Sequence, residues 1–319
     1  MDKRLFLCVD GGGTKTEALL LDTDGSALGR GIASGSNALS VGKNQAVCAV
    51  MTAIEAALGQ TPVTDICALH LFIPGFSACL PLPLDVKTYL HSDSVNAYFG
   101  ALAKPGGIAI LAGTGSFAVS FDENGRETSV GGWGSMLGDE GSGYDIGKRA
   151  VIHTLSVRDA GMLQTALGQS ILAHYGAESD RLLLRAIYQG GCDRSKMAAL
   201  CKVVSALAHQ GDADALRILS EAAEALCELS VRLKKRLHLQ TAPVALLGGV
   251  AGIGEPILKP LREALQKENL ILQEPRFGPA VGGALYAYRE ITGTLPSDTL
   301  AQAYNESYLK LIKEQESIC

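Results

Sequence analysis

The sequence predicts an α/β protein of two lobes, and three features of the chain support this. Its 319 residues exceed the usual size of a single hydrophobic core. Hydrophobic residues make up 47% of the chain and charged residues 19%, which provides enough apolar material for two packed lobes. A pattern of strand, glycine turn, strand and hairpin near the start occurs again about a hundred residues later, as expected after an internal duplication.

The first copy of this pattern lies within the first 33 residues. The apolar run 5–9 predicts a buried strand, Asp10-Gly11-Gly12-Gly13-Thr14 a turn, and residues 16–21 a second strand. A hairpin turn at 23–26 leads into a third strand at 27–33. The remaining predicted elements of the first lobe are a helix at about 44–58, a strand at 68–73 and a helix that begins near Asp93.

The second copy begins with a predicted strand at 108–111, followed by the turn Gly113-Thr114-Gly115-Ser116 and a strand at 117–121. Gly11 and Gly13 match Gly113 and Gly115, each 102 residues further on. Residues 141–238 have an almost wholly helical pattern, and a strand at 244–247 ends at Gly248-Gly249. The predicted domains are therefore residues 1–112 and 113–319, with a helical insert at about 141–238. The sequence leaves open whether a terminal helix at 297–313 packs on the first lobe.

Charge and cysteine content exclude several classes of function. The net charge is −5 and the basic residues are dispersed, so we expect no nucleic-acid partner. The eight cysteines form no C-x-x-C pair and no metal-ligand spacing, which is typical of a protein in a reducing compartment. No apolar run reaches membrane-spanning length, and the apolar start is too short for a signal peptide. We therefore expect a cytoplasmic protein without a membrane partner.

The two glycine turns are candidate phosphate-binding segments, because small residues allow several backbone N–H groups to point at one anion. A P-loop is excluded, since neither Gly42-Lys43 nor Gly147-Lys148 is followed by Ser or Thr. The spacing of Gly113, Gly115 and Ala118 meets the Rossmann pattern, but residues 119–121 alternate like a strand where that motif requires a helix. Either turn alone could be an ordinary tight hairpin. The duplicated pair favours a phosphate clamp.

Several motifs resemble those of one superfamily. Residues 9–16 look like the first phosphate motif of the actin/hexokinase/heat-shock-chaperone superfamily, 112–116 like its second, and 246–251 like its adenosine motif. The segment 131–142, from Gly131 to Ser142, is very similar to the signature of eukaryotic-type N-acetylglucosamine kinases, which belong with the BadF/BadG/BcrA/BcrD-type ATPases. The resemblance extends to about Tyr288. It implies two actin-like (ribonuclease H-like) lobes, each with a mixed five-stranded sheet, and a nucleotide and a sugar bound in the cleft.

The resemblance also implies ligands and residue roles. The cofactors would be ATP and Mg²⁺, with Asp10 holding the hydrated metal ion, since Mg²⁺ often uses only one or two carboxylates. The alternative for Asp10 is an ordinary turn-initiating residue. The residues expected to bind ATP are Gly11, Gly12, Gly13, Thr14, Lys15, Gly113, Thr114, Gly115, Ser116, Gly248 and Gly249, although Lys15 could equally point to solvent.

The resemblance assigns Asp93 as the catalytic base, because phosphoryl transfer to a sugar hydroxyl needs a carboxylate within reach of that hydroxyl. The alternative is a plain helix N-cap, a task that suits Ser92 and Asp93 equally. Asp139 beside Gly138, and Asn37, match residues that bind sugar hydroxyls in the family. For Asp139 the alternative is a charge at a helix N-terminus. Trp133, the one Trp of the chain, is expected either to wall the sugar pocket or to lie in the core.

The function implied is ATP-dependent phosphorylation of an amino sugar, with N-acetylglucosamine and its 6-phosphate as the first choice and a homodimer as the expected assembly. Phe117 stands where the family often has a polar residue, so glucosamine and N-acetylmuramic acid remain open as substrates. A second hypothesis is an activator ATPase of 2-hydroxyacyl-CoA dehydratase or benzoyl-CoA reductase, for which Cys192 and Cys201 are the nearest cluster ligands. A third is a sugar-sensing protein without activity. It is disfavoured because neither a DNA-binding segment nor the zinc-site cysteines of the repressor group are visible.

Overall fold

The computed structural model describes residues 3–76 and 82–317 of the chain. The chain divides into two compact units, the first made of residues 1–105 and 275–319 and the second of residues 106–274. This division differs from the boundary predicted after residue 112 in two respects. Residues 108–112 are a strand of the second sheet, and the last part of the chain returns to the first unit.

The two sheets account for the strands of the described residues. In chain order the strands are β1 (Leu5–Gly11), β2 (Lys15–Asp22), β3 (Ala27–Ser34), β4 (Ile66–Phe72), β5 (Thr88–His91), β6 (Ile108–Ala112), β7 (Ser116–Phe121), β8 (Glu127–Gly131), β9 (Ala242–Leu247) and β10 (Leu270–Leu272). The helices are α1 (Ala38–Val41), α2 (Lys43–Leu58), α3 (Asp93–Leu102), α4 (Gly143–Asp159), α5 (Ala166–Tyr175), α6 (Asp180–Gln189), α7 (Arg194–His209), α8 (Ala213–Arg236), α9 (Glu255–Lys267), α10 (Pro279–Thr292) and α11 (Asp298–Glu316).

Both sheets have the same connectivity, which confirms the predicted pair of mixed five-stranded sheets. The first has the order β3-β2-β1-β4-β5, and the second has the order β10-β9-β6-β7-β8. Read from its other edge, the second sheet is β8-β7-β6-β9-β10, in which each strand takes the place of the first-sheet strand five numbers lower. In the first sheet β1, β2 and β3 are antiparallel, while β4 is parallel to β1 and β5 to β4. In the second sheet β6, β7 and β8 are antiparallel, while β9 is parallel to β6 and β10 to β9. The internal repeat therefore covers five strands in each unit.

Helix α2 packs on one face of the first sheet at very short range. Its residues Val50 and Ile54 are fully buried against that face. Gly29 and Gly31 on β3 make the approach possible, because a Cβ atom at either position would lie 2.0 Å from a carbonyl oxygen of α2. Any larger residue at these two glycines would force the helix away from the sheet.

Helix α11 packs on the first unit, which answers the question that the sequence left open. The Tyr304 hydroxyl donates a 2.6 Å hydrogen bond to the backbone carbonyl of Asp22, and the Ser307 hydroxyl accepts one from the Ala27 amide at 2.8 Å. Near its end, the Gln315 side chain donates to the Arg30 carbonyl at 2.8 Å. Helix α11 is thus held against β2 and β3 by these hydrogen bonds.

The helical insert predicted at about 141–238 consists of α4 to α8 and belongs to the second unit. Its buried leucines, isoleucines and valines join β6 and β9 in one large hydrophobic core. The helices α4 and α7 approach closely at Gly147, where a Cβ atom would lie 2.1 Å from the Met197 carbonyl. This contact fixes the start of α7 relative to the start of α4.

None of the helices in the described part of the chain combines the length and the apolar content that crossing a bilayer requires.

Candidate functional site

The first glycine turn joins β1 to β2. The Gly12 amide donates to the Lys15 carbonyl at 2.9 Å, which closes the turn. The amides of Gly13 and Thr14 form no hydrogen bond within residues 3–76 and 82–317. Two adjacent backbone N–H groups are therefore available to an anion at this turn.

The segment after β3 packs against the first turn and forms hydrogen bonds to it. The amides of Ser36 and Asn37 donate to the Gly12 carbonyl at 2.9 and 3.0 Å. A Cβ atom at Gly35 would lie 2.2 Å from the Gly13 carbonyl oxygen, so the two segments approach as closely as backbone allows. The side-chain Oδ1 of Asn37 accepts from the Leu39 amide at 3.0 Å and caps α1, and its side-chain NH₂ group has no acceptor among the described residues. Asn37 therefore lies directly beside the first turn.

Asp10 lies at the end of β1, immediately before the first turn. Its Oδ1 accepts a 2.8 Å hydrogen bond from Nδ2 of Asn96, a buried residue of α3. Desolvation raises the pKa of Asp10 above its usual value; the Asn96 hydrogen bond opposes this, while the charges of Glu17 and Asp93 add to it. The structure thus brings Asp10 and Asp93 together, and the connecting residue is Asn96. Sequence reasoning missed Asn96, because a polar residue inside a helix carries no local signal of a partner 86 positions away.

Asp93 is the first residue of α3, and its neighbour performs the capping that was the alternative role for it. The Ser92 hydroxyl accepts from the Ser94 amide at 3.2 Å and occupies the N-cap position. The Asp93 carboxylate is thus not the N-cap and keeps contact with solvent. Desolvation by the surrounding protein raises the pKa of Asp93. A carboxyl group with a raised pKa is a better proton acceptor when ionised.

Lys15 does not point freely into solvent. Its Nζ lies 2.8 Å from Oε2 of Glu17, a buried residue that also binds Arg30 and the hydroxyl of Tyr308. Burial alone would raise the pKa of Glu17, but the hydrogen bonds from Lys15 and Arg30 lower it. The cation beside the first turn is therefore already paired with a carboxylate.

The second glycine turn joins β6 to β7 and is supported by α4. The Gly113 amide donates to the Gly115 carbonyl at 2.9 Å, and the Gly113 carbonyl accepts from the Gly143 amide at 2.8 Å. The Tyr144 amide reaches the Thr114 carbonyl at 3.4 Å. Like their counterparts in the first turn, the amides of Thr114 and Gly115 form no hydrogen bond in the described part of the chain.

Asp139 ties the second turn to the helical insert. It is 3% exposed and has a left-handed backbone with φ of 64°, and no helix begins at it, because α4 starts at Gly143. Its Oδ1 accepts from the Ser116 amide at 3.3 Å, and its Oδ2 accepts from Nη2 of Arg194 at 2.8 Å. A Cβ atom at Gly115 would lie 2.8 Å from Oδ2, so this carboxylate requires glycine in the turn.

Arg194, the first residue of α7, was not among the residues predicted from the sequence. Its side chain is 50% exposed, and within the described residues its one hydrogen bond is the contact with Asp139. Sequence reasoning could not find it, because an isolated arginine at the start of a helix resembles any surface arginine.

Trp133 is 75% exposed, which rules out the core role that the sequence had left open. Gly138 lies against it, since a Cβ atom there would be 3.2 Å from the Trp133 Cβ. Phe117 packs behind the same loop, where its Cβ lies 3.4 Å from the Cβ position of Gly132. The loop therefore exposes an indole side chain, and Phe117 packs against the loop at Gly132.

The loop after β9 lies against the end of β6, just before the second turn. The Val250 amide donates to the Ala112 carbonyl at 3.0 Å, and a Cβ atom at Gly248 would lie 2.5 Å from the same oxygen. Gly248 has φ of 91°, a left-handed conformation that favours glycine. A Cβ atom at Gly249 would meet nothing within 4 Å. Gly249 thus borders open space beside the second turn.

No group of three or more His, Cys, Asp or Glu side chains that could enclose a metal ion occurs among residues 3–76 and 82–317. Asp10 by itself fits a hydrated Mg²⁺, because Asn96 holds one of its oxygens and the other accepts no hydrogen bond in the described structure. An ion that retains its waters and binds phosphate oxygens needs only one such carboxylate.

Comparison with known proteins supplies a family and several similar chains. Residues 7–287 match the model of the BadF/BadG/BcrA/BcrD ATPase family. An N-acetyl-D-glucosamine kinase of Dictyostelium discoideum is 30% identical over 274 residues, which cover 78% of this chain and 86% of that protein. An N-acetylmuramic acid/N-acetylglucosamine kinase of Clostridium acetobutylicum is 37% identical over 167 residues, or 51% of this chain and 54% of that protein. A crystal structure of a proposed N-acetylglucosamine kinase from Chromobacterium violaceum superposes with a TM-score of 0.70 at 27% identity, over 88% of this chain and 98% of that one.

Proposed function

The chain belongs to the BadF/BadG/BcrA/BcrD ATPase family, and from this premise we propose that it is an ATP-dependent sugar kinase that converts N-acetylglucosamine to its 6-phosphate. The observation that carries the proposal is the pair of glycine turns. Each turn offers two adjacent N–H groups that have no partner among the described residues, and the carboxylates Asp10 and Asp93 lie near the first turn. Phosphate-binding amides beside a carboxylate base are what transfer of a phosphoryl group to an alcohol needs.

In this proposal both turns bind the phosphates of ATP. The amides of Gly13 and Thr14 serve the first turn and those of Thr114 and Gly115 the second, with Gly11, Gly12, Gly113 and Ser116 shaping the backbone. The backbone at Gly248 and Gly249 takes the adenosine, with Gly248 packed on the Ala112 carbonyl and Gly249 next to open space. Asp10 would hold Mg²⁺, whose contribution when bound is to neutralise charge on the phosphates.

Asp93 acts as the base of the reaction. It accepts the proton of the sugar hydroxyl, whose oxygen forms a bond to the γ-phosphorus while the bond from that phosphorus to the bridging oxygen of ADP breaks. The raised pKa of Asp93 suits this role, since it strengthens the carboxylate as a proton acceptor. Asn37, Trp133, Gly138 and Asp139 are the proposed sugar-binding residues. Among these, the exposed indole of Trp133 and the uncommitted amide of Asn37 offer the most accessible contacts.

The substrate proposal rests on the relatives, of which both curated kinases described above carry N-acetylglucosamine in their names. N-acetylmuramic acid is the second candidate because the Clostridium relative is named for it as well. A coupled assay of ADP release tests the proposal with N-acetylglucosamine, N-acetylmuramic acid, glucosamine and glucose, and phosphorus NMR of the product identifies the hydroxyl that is phosphorylated. We expect the highest kcat/KM for N-acetylglucosamine. ADP release that does not respond to any sugar would reject the kinase proposal.

The activator ATPase hypothesis finds no support in the cysteines that it needs. Cys201 is buried on α7, whereas Cys192 is exposed, so only one of the two candidate ligands is accessible from the surface. An iron assay of the purified protein separates the two hypotheses, and stoichiometric iron would favour the activator. We further propose a homodimer in the cytoplasm, which light scattering and cell fractionation test.

A further inference from the structure

The second glycine turn has a cation beside it that none of the proposed roles uses. Arg194 begins α7 and donates one hydrogen bond to Asp139, whose other oxygen accepts from the Ser116 amide of the turn. A single carboxylate group therefore separates the guanidinium from the turn. The position is fixed from both sides, since Asp139 is buried and the start of α7 is packed against α4 at Gly147.

The guanidinium has more donors than its protein contact uses. An arginine side chain carries five N–H donors in a planar fork, and within the described residues only Nη2 of Arg194 is engaged. Half of the side chain faces solvent. If its role were only to neutralise Asp139, a fully buried pair would serve as well. An exposed, planar fork on a buried carboxylate instead keeps donors available for a second anion that offers two oxygens, such as a phosphate group.

The charged groups near the first turn differ from those near the second turn. At the first turn Lys15 is paired with Glu17, and Asp10 and Asp93 add negative charge, so that turn depends on a metal ion to attract phosphate. At the second turn Arg194 is also paired, with Asp139, but within the described residues Nε and Nη1 of Arg194 and the amides of Thr114 and Gly115 have no acceptor. Phosphate bound there meets hydrogen-bond donors without needing a metal.

We propose that Arg194 is a phosphate-binding residue of the second turn, contacting the phosphate chain of ATP and stabilising the negative charge of the transferred group. The proposal rests on the kinase function proposed above and adds to it a residue of the helical insert. Asp139 holds the guanidinium in place, so the ion pair orients the cation as well as stabilising the buried carboxylate. Arginine contacts of this kind are known to stabilise charge that develops during phosphoryl transfer.

The test is the binding of ATP, ADP and adenosine to Arg194→Gln, measured by titration calorimetry on the full chain without sugar. Glutamine retains a donor for Asp139 and removes the charge. We expect the Kd for ATP to rise about 10- to 100-fold, the Kd for ADP to rise less, and the Kd for adenosine to stay within about twofold, as the loss of a charged hydrogen bond predicts. Arg185→Gln on α6, whose arginine binds only Gln189 among the described residues, is the matched control and should bind all three ligands like the wild type.

The double variant Asp139→Asn/Arg194→Gln separates phosphate binding from support of Asp139. If Arg194 binds phosphate, the double variant binds ATP as weakly as Arg194→Gln. Recovery of wild-type ATP affinity in the double variant would show that the arginine acts only through Asp139, and equal losses for ATP and adenosine would show that the variant merely distorts the unit. Either result overturns the proposal. If the wild type itself binds ATP and phosphorylates sugar, these failures leave the kinase proposal intact, whereas a wild type that binds no nucleotide rejects both.

Discussion

The two glycine turns of this protein have the same backbone plan but opposite chemical surroundings. Both connect antiparallel strands, and both leave two consecutive amides without an acceptor in the described structure. The first is surrounded by carboxylates, with Asp10 before it and Asp93 nearby, and its one lysine is paired. The second has a buried aspartate whose partner is a half-exposed arginine. Under the proposals above, the duplicated element would serve as a site for a metal ion and a base in one copy, and as a site for direct phosphate contact in the other.

The largest effect should come from Asp93, the proposed base near the first turn. Asp93→Asn removes the proposed base while preserving shape, and we expect kcat to fall by about 10²- to 10⁴-fold with little change in the Kd for ATP. Because the pKa of Asp93 is raised, the acid limb of the wild-type pH–rate profile should lie above the usual aspartate range and should vanish in the variant. Steady-state kinetics from pH 4 to 8 measure both.

Ser92→Ala is the control for Asp93→Asn, because it removes the N-cap of the same helix and leaves the carboxylate in place, with the loss of only a long 3.5 Å hydrogen bond from the Ser92 hydroxyl to Oδ1 of Asp93. It should lower the free energy of unfolding by about 0.5–2 kcal/mol and leave kcat within a factor of a few. A near-normal kcat for Asp93→Asn would reject Asp93 as the catalytic base. The proposed difference in function between the two copies would then lose its main support.

The next effect concerns the glycines that each turn needs for packing. Gly115→Ala would place a methyl group 2.8 Å from the Asp139 carboxylate, and Gly11→Ala would place one 2.2 Å from the Ser36 hydroxyl. We expect each to lower the free energy of unfolding by about 1–3 kcal/mol. Gly113→Ala and Gly12→Ala are the matched controls, because neither added methyl group would meet an atom within 4 Å, and their loss should stay below about 1 kcal/mol. Denaturant unfolding of the four variants checks this, and equal losses in all four would show that the contacts do not determine which glycine is required.

A pair of histidines lies behind the first copy and gives the first unit a pH dependence. His70 is fully buried on β4, and its Nδ1 lies 3.0 Å from Nε2 of His91 on β5. Desolvation lowers the pKa of His70 to about 3, with a smaller contribution from His91. The folded state therefore keeps His70 neutral, whereas the unfolded chain takes up a proton below pH 6.5, so stability falls as the pH falls from 6.5 towards 3.

The size of this effect follows from the shift. Between pH 7 and pH 5, His70 alone should cost about 2 kcal/mol of unfolding free energy. His70→Phe keeps a stacked aromatic ring and cannot titrate, so its stability should fall less over the same interval. Denaturant unfolding of the wild type and the variant at pH 7, 6 and 5 gives the two slopes. Parallel slopes would mean that His70 takes up its proton in the folded state as readily as in the unfolded chain.

The sequence predicted those parts of the fold whose patterns are local. The strands around both turns and the helices α2, α3, α7, α8 and α11 follow from apolar periodicity, and the duplication follows from glycine spacing. Three strands, β5, β8 and β10, were missed. Two of them, β5 and β8, have partly exposed residues throughout, and β10 has three residues in all. Each lies at the edge of its sheet, where one neighbour and partial burial leave little periodic signal.

Only those residues of the candidate site that lie within a short sequence motif could be predicted from the sequence. The glycine turns, Asp10 and Asp93 stand in short recognisable segments. Asn96 and Arg194, which orient Asp10 and Asp139, contact them across 86 and 55 positions of sequence. These contacts depend on how distant helices and strands pack together, and no local pattern in a single sequence indicates that packing. The division of the chain into two units differs from the predicted boundary for the same reason, since the return of α11 to the first unit depends on contacts such as that of Tyr304 with Asp22.

The smallest effect should come from the cation of the first turn, and it bears most directly on the contrast with the second. Lys15 is half exposed and paired with Glu17, and the nearby carboxylate of Asp10 also interacts with its charge, so two carboxylates already offset this cation. We expect Lys15→Gln to raise the Kd for ATP less than about fivefold, in line with the small free energies of exposed ion pairs.

Glu17→Gln provides the reciprocal test, because it would release Lys15 and should leave ATP affinity unchanged or slightly higher, provided that thermal unfolding shows an intact fold. Calorimetric titration of both variants beside Arg194→Gln ranks the two cations on one scale. Should Lys15→Gln weaken ATP binding more than Arg194→Gln does, the first turn would carry the main direct phosphate contact. The difference between the copies would then lie in the metal ion and base alone.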